Sequence, residues 1–179
     1  NNFIFSVPSL FISLGFVLVL FSCHNSVSTA PQVIGHQMTD DGESFDIIAG
    51  NLDNVQIWKD YVKAHNDRDL EAIKGMNVDS IKVWGPRGEY IEGTEAHIQF
   101  LSEWFAGASP VWNSKYFLAN TYTNKKGNLM EWVTSGHDLT MTIDSTEVKV
   151  FQVHDALIKD GKVVRFTVAE QERSDKNEE

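Results

Sequence analysis

Ile57-Trp58-Lys59-Asp60-Tyr61-Val62-Lys63-Ala64-His65-Asn66-Asp67-Arg68-Asp69-Leu70-Glu71-Ala72-Ile73 is the stretch whose reading decides the fold. Ile57, Trp58, Tyr61, Val62 and His65 recur at helical spacing on one broad face, with Lys59, Asp60 and Lys63 opposite, which predicts an amphipathic helix starting near Asp53. Asn66-Asp67-Arg68-Asp69 interrupts it. Asp69 is placed to cap a second, shorter helix through Leu70, Ile73 and Met76, ending near Gly75 to Asn77. Beyond it, Ile81 to Trp84 and Tyr90 to Glu92 are short strand candidates around the turn Gly85-Pro86-Arg87-Gly88. Thr94 is expected to cap a third helix, Glu95 to Phe105, which is apolar on more than one side through Ile98, Phe100, Leu101, Trp104 and Phe105, and hence mostly buried.

After Pro110 the pattern becomes β to the end. Trp112 to Thr123 alternates, Leu129 to Thr142 is long and rich in β-branched residues, and Glu147 to Ile158 and Lys162 to Gln171 follow after short turns. Asn124-Lys125-Lys126-Gly127-Asn128, Asp144-Ser145 and Lys159-Asp160-Gly161 read as hairpin connections. Three helices followed by consecutive long strands imply an α+β fold: a curved, cone-shaped antiparallel sheet with three N-terminal helices packed on its concave face.

Ahead of this unit the composition is different. All 40 charged residues lie at or after Asp40, although the chain has 179 residues and a net charge of −10. Phe3 to Phe21 carries no charge and ends in Leu20-Phe21-Ser22-Cys23. That ending resembles the lipobox of bacterial lipoproteins, which implies cleavage before Cys23 and lipid attachment to it; more than one acyl chain makes such anchoring stable. An uncleaved signal anchor, or an ordinary signal peptide with a chance cysteine, is the competing reading. The chain opens on Asn-Asn without the basic residues of a signal n-region, so further residues are expected before Asn1. The expected organisation is therefore a lipoprotein signal peptide over 1–22, a flexible tether over 23–52, a folded domain over 53–171 and an acidic disordered tail over 172–179. The expected location is extracytoplasmic, at the periplasmic side of a membrane or the cell surface.

Composition also excludes function classes. A net acidic chain without a basic stripe is unsuited to nucleic acid, where clustered Lys and Arg must neutralise phosphates. One cysteine, Cys23, forms no intrachain disulfide. The six histidines have no paired metal-ligand spacing, and no phosphate-binding Gly loop or Gly-x-Ser-x-Gly elbow occurs, so neither metal nor cofactor is expected.

The ordered set of Tyr61, Asn66-x-x-Asp69-Leu70-Glu71-Ala72-Ile73, Val83-Trp84-Gly85-Pro86, Tyr90-Ile91-Glu92-Gly93-Thr94-Glu95-Ala96, Glu131-Trp132-Val133-Thr134-Ser135-Gly136-His137 and Asp160-Gly161-Lys162-Val163 resembles the nuclear transport factor 2-like superfamily, in its SnoaL-like branch, over about two thirds of the chain. The resemblance implies a cone enclosing an apolar pocket. It leaves the activity open, because the superfamily includes steroid isomerases, polyketide cyclases, dehydratases, epoxide hydrolases and members without catalysis. It also implies a homodimer formed through the outer face of the long strands.

On this reading Trp58, Trp84, Phe100, Trp104 and Trp132, with His137, are the expected ligand-binding residues, plain core packing being the alternative for each aromatic. Tyr61 stands where the steroid-isomerase-like members carry a Tyr that donates to an oxyanion, and a buried Tyr bonded to a backbone carbonyl is the competing reading. His154 falls where those isomerases carry a protonated-Asp donor, and it shares strand parity with Gln152, Ala156 and Ile158; a one-residue slip would turn Asp155 inward instead. Tyr61 and His154 are thus the candidate catalytic pair. Where the isomerases carry a catalytic carboxylate, ahead of Pro86, this chain has Gly85. Of His137 and Asp138 only one can face the pocket, and His97 is ambiguous. The first expectation is a lipid-anchored module binding a small apolar or aromatic molecule. The second is an isomerase, cyclase or dehydratase acting through Tyr61 and His154, and the third an interaction module without a ligand.

Overall fold

The computed structural model describes residues 30–172. The expected signal peptide, Cys23 and the chain beyond Glu172 lie outside the described residues. Eight strands and three helices are described, in the order β1 (Val33–Met38), β2 (Ser44–Ala49), α1 (Leu52–Asp67), α2 (Leu70–Met76), β3 (Asn77–Trp84), β4 (Tyr90–Glu92), α3 (Thr94–Ala108), β5 (Val111–Thr123), β6 (Leu129–Ile143), β7 (Thr146–Lys159) and β8 (Lys162–Glu172). The strands form one sheet in the order β1-β2-β5-β6-β7-β8-β3-β4.

Local chemistry sets the helix ends. Asn51 caps α1 by accepting from the Asp53 N–H at 2.9 Å, and Arg68 ends it in the left-handed conformation, φ 61°, with its guanidinium donating back to the His65 carbonyl at 2.7 Å. Asp69 caps α2 through the Ala72 N–H at 2.9 Å, as its position implies. Thr94 behaves differently from expectation. Gly93, at φ 93°, is the N-cap of α3, while the Thr94 hydroxyl donates to the Val78 carbonyl at 2.8 Å and ties the helix to β3. Asn66, just past the last apolar turn of α1, exchanges two hydrogen bonds with the Trp112 backbone, at 2.9 and 2.8 Å, and so docks α1 onto the start of β5.

β5 to β8 pair as consecutive antiparallel hairpins. β3 corrects the all-antiparallel expectation: it runs parallel to β8, a partner remote in sequence and therefore free of the hairpin constraint. β5 carries a bulge between Ser114 and Tyr116 that bends the sheet. Opposite the bulge, a side chain at Gly136 would run into the rings of Tyr116 and Phe151.

The segment expected to be a tether, 23–52, needs a second correction. Its described part forms the β1–β2 hairpin, closed by Thr39 and Gly42 (φ 85°) and joined to β5 through Ile48 opposite Thr121 and Ala49 opposite Asn120. In the sequence only the short alternation Ser44-Phe45-Asp46-Ile47 and the turn residues Thr39-Asp40-Asp41-Gly42 mark it, and the polar average of the region conceals them. Neither strand has a fully buried face, so the hairpin contributes little to the core. At the other end, β8 includes Glu172, the first residue of the expected tail.

The core lies between the helices and the concave face. Trp58, Tyr61, Ile73, Ile81, Val133, Leu139, Ile158 and Val163 are almost fully buried there. Each large apolar side chain of this kind stabilises the fold by about 1.5–3 kcal/mol.

Candidate functional site

Helical spacing on α1 turns Trp58, Tyr61, Val62 and His65 to the same side, and α3 presents His97, Phe100, Leu101 and Trp104 to it. Val83, Trp112, Gln152, His154, Phe166 and Glu170 come up from the sheet, and together these groups enclose a cavity of about 270 Å³. The exposed lining residues Pro86, Arg87, Glu89, Phe100 and Ile143 mark its mouth.

Five of the expected site residues, Trp58, Tyr61, Phe100, Trp104 and His154, are in this wall. Three are not. Trp84 and Trp132 lie on the opposite face of the sheet, each one residue out of step with an inward neighbour, Val83 and Val133. There Trp132 packs under the Arg165 guanidinium, 4.6 Å from the ring, and Trp84 lies against Tyr90 with centroids 5.1 Å apart. His137 does face inward but sits behind the wall, held between Ser114 Oγ at 3.0 Å and Ser135 Oγ at 2.7 Å. Asp138, its neighbour, points outward to Lys115. His154 keeps the inward parity of Gln152 and Ala156, whereas Asp155 faces out and accepts from Thr134 at 2.7 Å.

The hydrogen bonds in the wall fix which groups remain able to donate. The Tyr61 hydroxyl donates to Asn77 Oδ1 at 2.8 Å, so the Asn77 amide donates to His97 Nδ1, 3.3 Å away, and the His97 proton is on Nε2. His65 Nδ1–H donates to the Tyr61 carbonyl at 2.8 Å. Gln152 is oriented by two partners of fixed sign: its amide donates to the Glu170 carboxylate at 2.8 Å, and its oxygen accepts from Trp112 Nε1 at 2.9 Å. The same oxygen lies 2.9 Å from His154 Nε2, which must therefore carry the ring proton. On the far side of His154, Trp58 Nε1 donates to Ser135 Oγ at 2.8 Å.

Burial keeps these rings neutral at physiological pH. It lowers His65 and His137 to about 4 and His97 to about 3, with Arg68 adding to the effect at His65 and His65 to that at His97. His154 is pushed well below its ordinary value by burial first, then by His137 and His65. Tyr61 is raised well above 10 by burial, against the opposing Asn77 bond, and remains a phenol.

Gly85 lies directly under the Glu89 side chain, which a larger residue at 85 would push aside. A Cβ there would stand 2.5 Å from Glu89 Oε2, because the turn folds the Glu89 carboxylate back over Gly85, where the Arg87 N–H holds it at 2.9 Å. A carboxylate thus occupies this corner of the mouth although position 85 has none. Glu89, Glu170, Trp112, Gln152 and His65 are among the wall residues missing from the expected set. His65 is readable from its place four residues after Tyr61, and Gln152 from its parity with His154; the placement of Glu89 depends on a turn conformation with no local signature. Among the described residues, no group of three His, Cys, Asp or Glu side chains comes together as a metal-ligand set, and no helix is long and apolar enough to cross a membrane.

No protein-family model and no curated protein matches the sequence. Solved structures do match. A nuclear transport factor 2-like protein from Burkholderia xenovorans LB400 aligns with a TM-score of 0.55 at 16% identity, over 69% of this chain and 92% of its own. An LEH-like epoxide hydrolase from M. tuberculosis aligns with a TM-score of 0.53 at 10% identity, over 65% and 80%. TerC, co-crystallised with polyporic acid, gives 0.53 at 16% identity, over 66% and 91%. Identities this low speak for architecture, and with the helix order, the curved sheet and the cavity between them they establish that this chain has the nuclear transport factor 2-like fold.

Proposed function

We propose that the chain binds a small apolar or aromatic molecule in the cavity and holds it outside the cytoplasm from a lipid on Cys23. One observation carries the binding reading: the cavity is open and aromatic, yet both donors an acid–base mechanism would aim at a carbonyl are engaged by the protein. The Tyr61 hydroxyl goes to Asn77 and the His154 Nε2–H to Gln152. This favours binding over the isomerase, cyclase or dehydratase reading, which needs at least one of them free for a developing oxyanion. Co-crystallisation of TerC with polyporic acid supports small-molecule occupancy of a fold of this kind.

Three of the five tryptophans, Trp58, Trp104 and Trp112, line the cavity, so tryptophan fluorescence reports occupancy directly. Titration with an apolar aromatic molecule is expected to quench it saturably, and Val168→Phe, which fills the cavity, is expected to abolish the effect. Identical quenching in wild type and Val168→Phe would refute the reading. The anchor has a separate test: labelled palmitate incorporated by the chain in a bacterial host, and not by Cys23→Ser, is the expected result. A homodimer is proposed through the outer sheet face, where Tyr116 and Leu118 are 45% and 53% exposed. A monomer in size-exclusion chromatography would refute it.

A further inference from the structure

Charge in the cavity wall is gathered on one side. Arg87, Glu89 and Glu170 are the charged lining residues; elsewhere the wall is aromatic and apolar, with Gln152 and with His65, His97 and His154, which burial keeps neutral. Glu170 is the fixed charge of the three, its side chain 14% exposed against 67% for Arg87. One of its oxygens accepts from the Gln152 amide at 2.8 Å, and the other lies 3.8 Å from the Arg87 guanidinium, beyond hydrogen-bonding distance. A carboxylate withdrawn this far from water needs partners that offset its lost hydration. One neutral amide and a distant, exposed cation do so only in part.

The surroundings of Glu170 define what could complete the offset. Its two partners, Gln152 and Arg87, both line the cavity, and Arg87 is one of the residues that mark the mouth. An aromatic row runs from Phe100 through Trp104 to Trp112, with ring centroids 6.1 and 5.4 Å apart, and Trp112 donates at 2.9 Å to the same Gln152 that holds Glu170. Aromatic rings beside a carboxylate attract a cation and cover the apolar surface that carries it. An anionic ligand would meet two carboxylates and one exposed cation. A cation carried inward to Trp58 and Phe166 would lose its hydration with no counter-charge. An apolar skeleton in the aromatic depth, with its positive charge left at the mouth, satisfies both constraints.

We infer that the ligand is an aromatic or alicyclic amine, bound with its rings in the depth of the cavity and its ammonium at the mouth against the Glu170 carboxylate, so that the cavity prefers the amine over the neutral alcohol of the same skeleton. This rests on the binding reading above and adds the ligand class. The ammonium gives a charge-assisted hydrogen bond to the oxygen from which Arg87 stands 3.8 Å away. Glu89, held over Gly85 by the Arg87 N–H at 2.9 Å, adds a second negative charge at the mouth. The Arg87 side chain competes with the ligand for Glu170, and therefore restrains affinity for an amine.

The test is calorimetric titration of the full chain in a non-ionic detergent at neutral pH and low salt, with 2-naphthylmethylamine and with 2-naphthylmethanol, for wild type and Glu170→Gln. Taking the ratio of the two affinities in each protein, and then comparing the ratios, cancels partitioning into detergent. The amine preference of wild type is expected to exceed that of Glu170→Gln by about tenfold or more, the worth of one hydrogen bond to a charged group. Equal ratios in the two proteins, or binding of the alcohol without the amine, would overturn the inference and leave the binding reading intact. Failure of both compounds to bind wild type would overturn the binding reading and the inference with it. If Glu170→Gln does not fold, Arg87→Met decides, because the competing cation is exposed and its removal leaves the backbone N–H that holds Glu89. Its amine preference is expected to rise by about two- to fivefold over wild type. An unchanged or lower preference would overturn the inference.

Discussion

Each face of the sheet buries indole rings but treats their N–H groups differently. On the concave side Trp58 donates to Ser135, Trp112 donates to Gln152, and these acceptors are held by His137, His154 and Glu170. On the outer side Trp132 Nε1 is buried without a partner, and the ring is covered by the Arg165 guanidinium. The concave face is a cross-linked surface in which the Trp58 and Trp112 N–H groups meet acceptors that are themselves bonded. The outer face is charged and loosely coupled. A cavity that must keep its shape with nothing in it needs the first arrangement, since a wall fixed in advance is not reordered at the moment of binding.

Acid is expected to break that contrast most strongly. The four concave-side histidines have folded values below 6.5, so the unfolded chain takes up protons that the fold refuses. Their contribution is complete above pH 6.5 and is lost as pH falls towards their folded values, about 4 for His65 and His137 and about 3 for His97. Each steepens the loss by up to about 1.4 kcal/mol per pH unit, and the four together by roughly 5 kcal/mol per unit. Asp155, outside, has the opposite sign: burial raises its value, so its penalty is relieved as pH falls through the acid range. Urea melts at pH 7, 6 and 5 should show a steep loss, and stability unchanged to pH 5 would mean that these rings are not neutral in the fold.

A matched pair of substitutions compares the faces directly. Trp58→Phe removes the donor that Ser135 accepts from inside the network and should cost about 1–3 kcal/mol. Trp132→Phe removes an N–H that bonds to nothing and keeps the ring under Arg165, so it should cost less than about 1 kcal/mol. Equal losses in urea melts would erase the distinction between the faces. Tyr61→Phe belongs between them: it leaves Asn77 Oδ1 unpaired, costing about 1–2 kcal/mol, and should leave ligand affinity nearly unchanged. A large fall in affinity with normal stability would return Tyr61 to the ligand. At the rim of the fold, Asn51→Ala removes the α1 cap at about 1 kcal/mol and should leave ligand affinity unchanged, because Asn51 does not line the cavity.

How far the sequence carries can be seen at particular residues. α1, the Asp69 cap and the inward turn of His154 are readable because helical and strand periods are local, and β7 keeps its register against β6 from Thr146 to Ile158. Residue type alone points Trp84 and Trp132 into the pocket. Their position one step from Val83 and Val133 sends them to the other face, and strand parity outweighs residue type. The parallel β3–β8 pairing joins segments distant in the chain and has no local trace. The β1–β2 hairpin is hidden by the polar composition around it. The roles of Tyr61 and His154 depend on which of their atoms are already bonded, and that appears only once Asn77 and Gln152 are in place.

The central claim is that the cavity holds a small molecule, and native mass spectrometry of the full chain purified from its source tests it most directly. The account predicts a population carrying one retained small molecule, absent from Val168→Phe purified in the same way. Wild type and Val168→Phe both appearing only as the bare chain, or both carrying the same adduct, would contradict it.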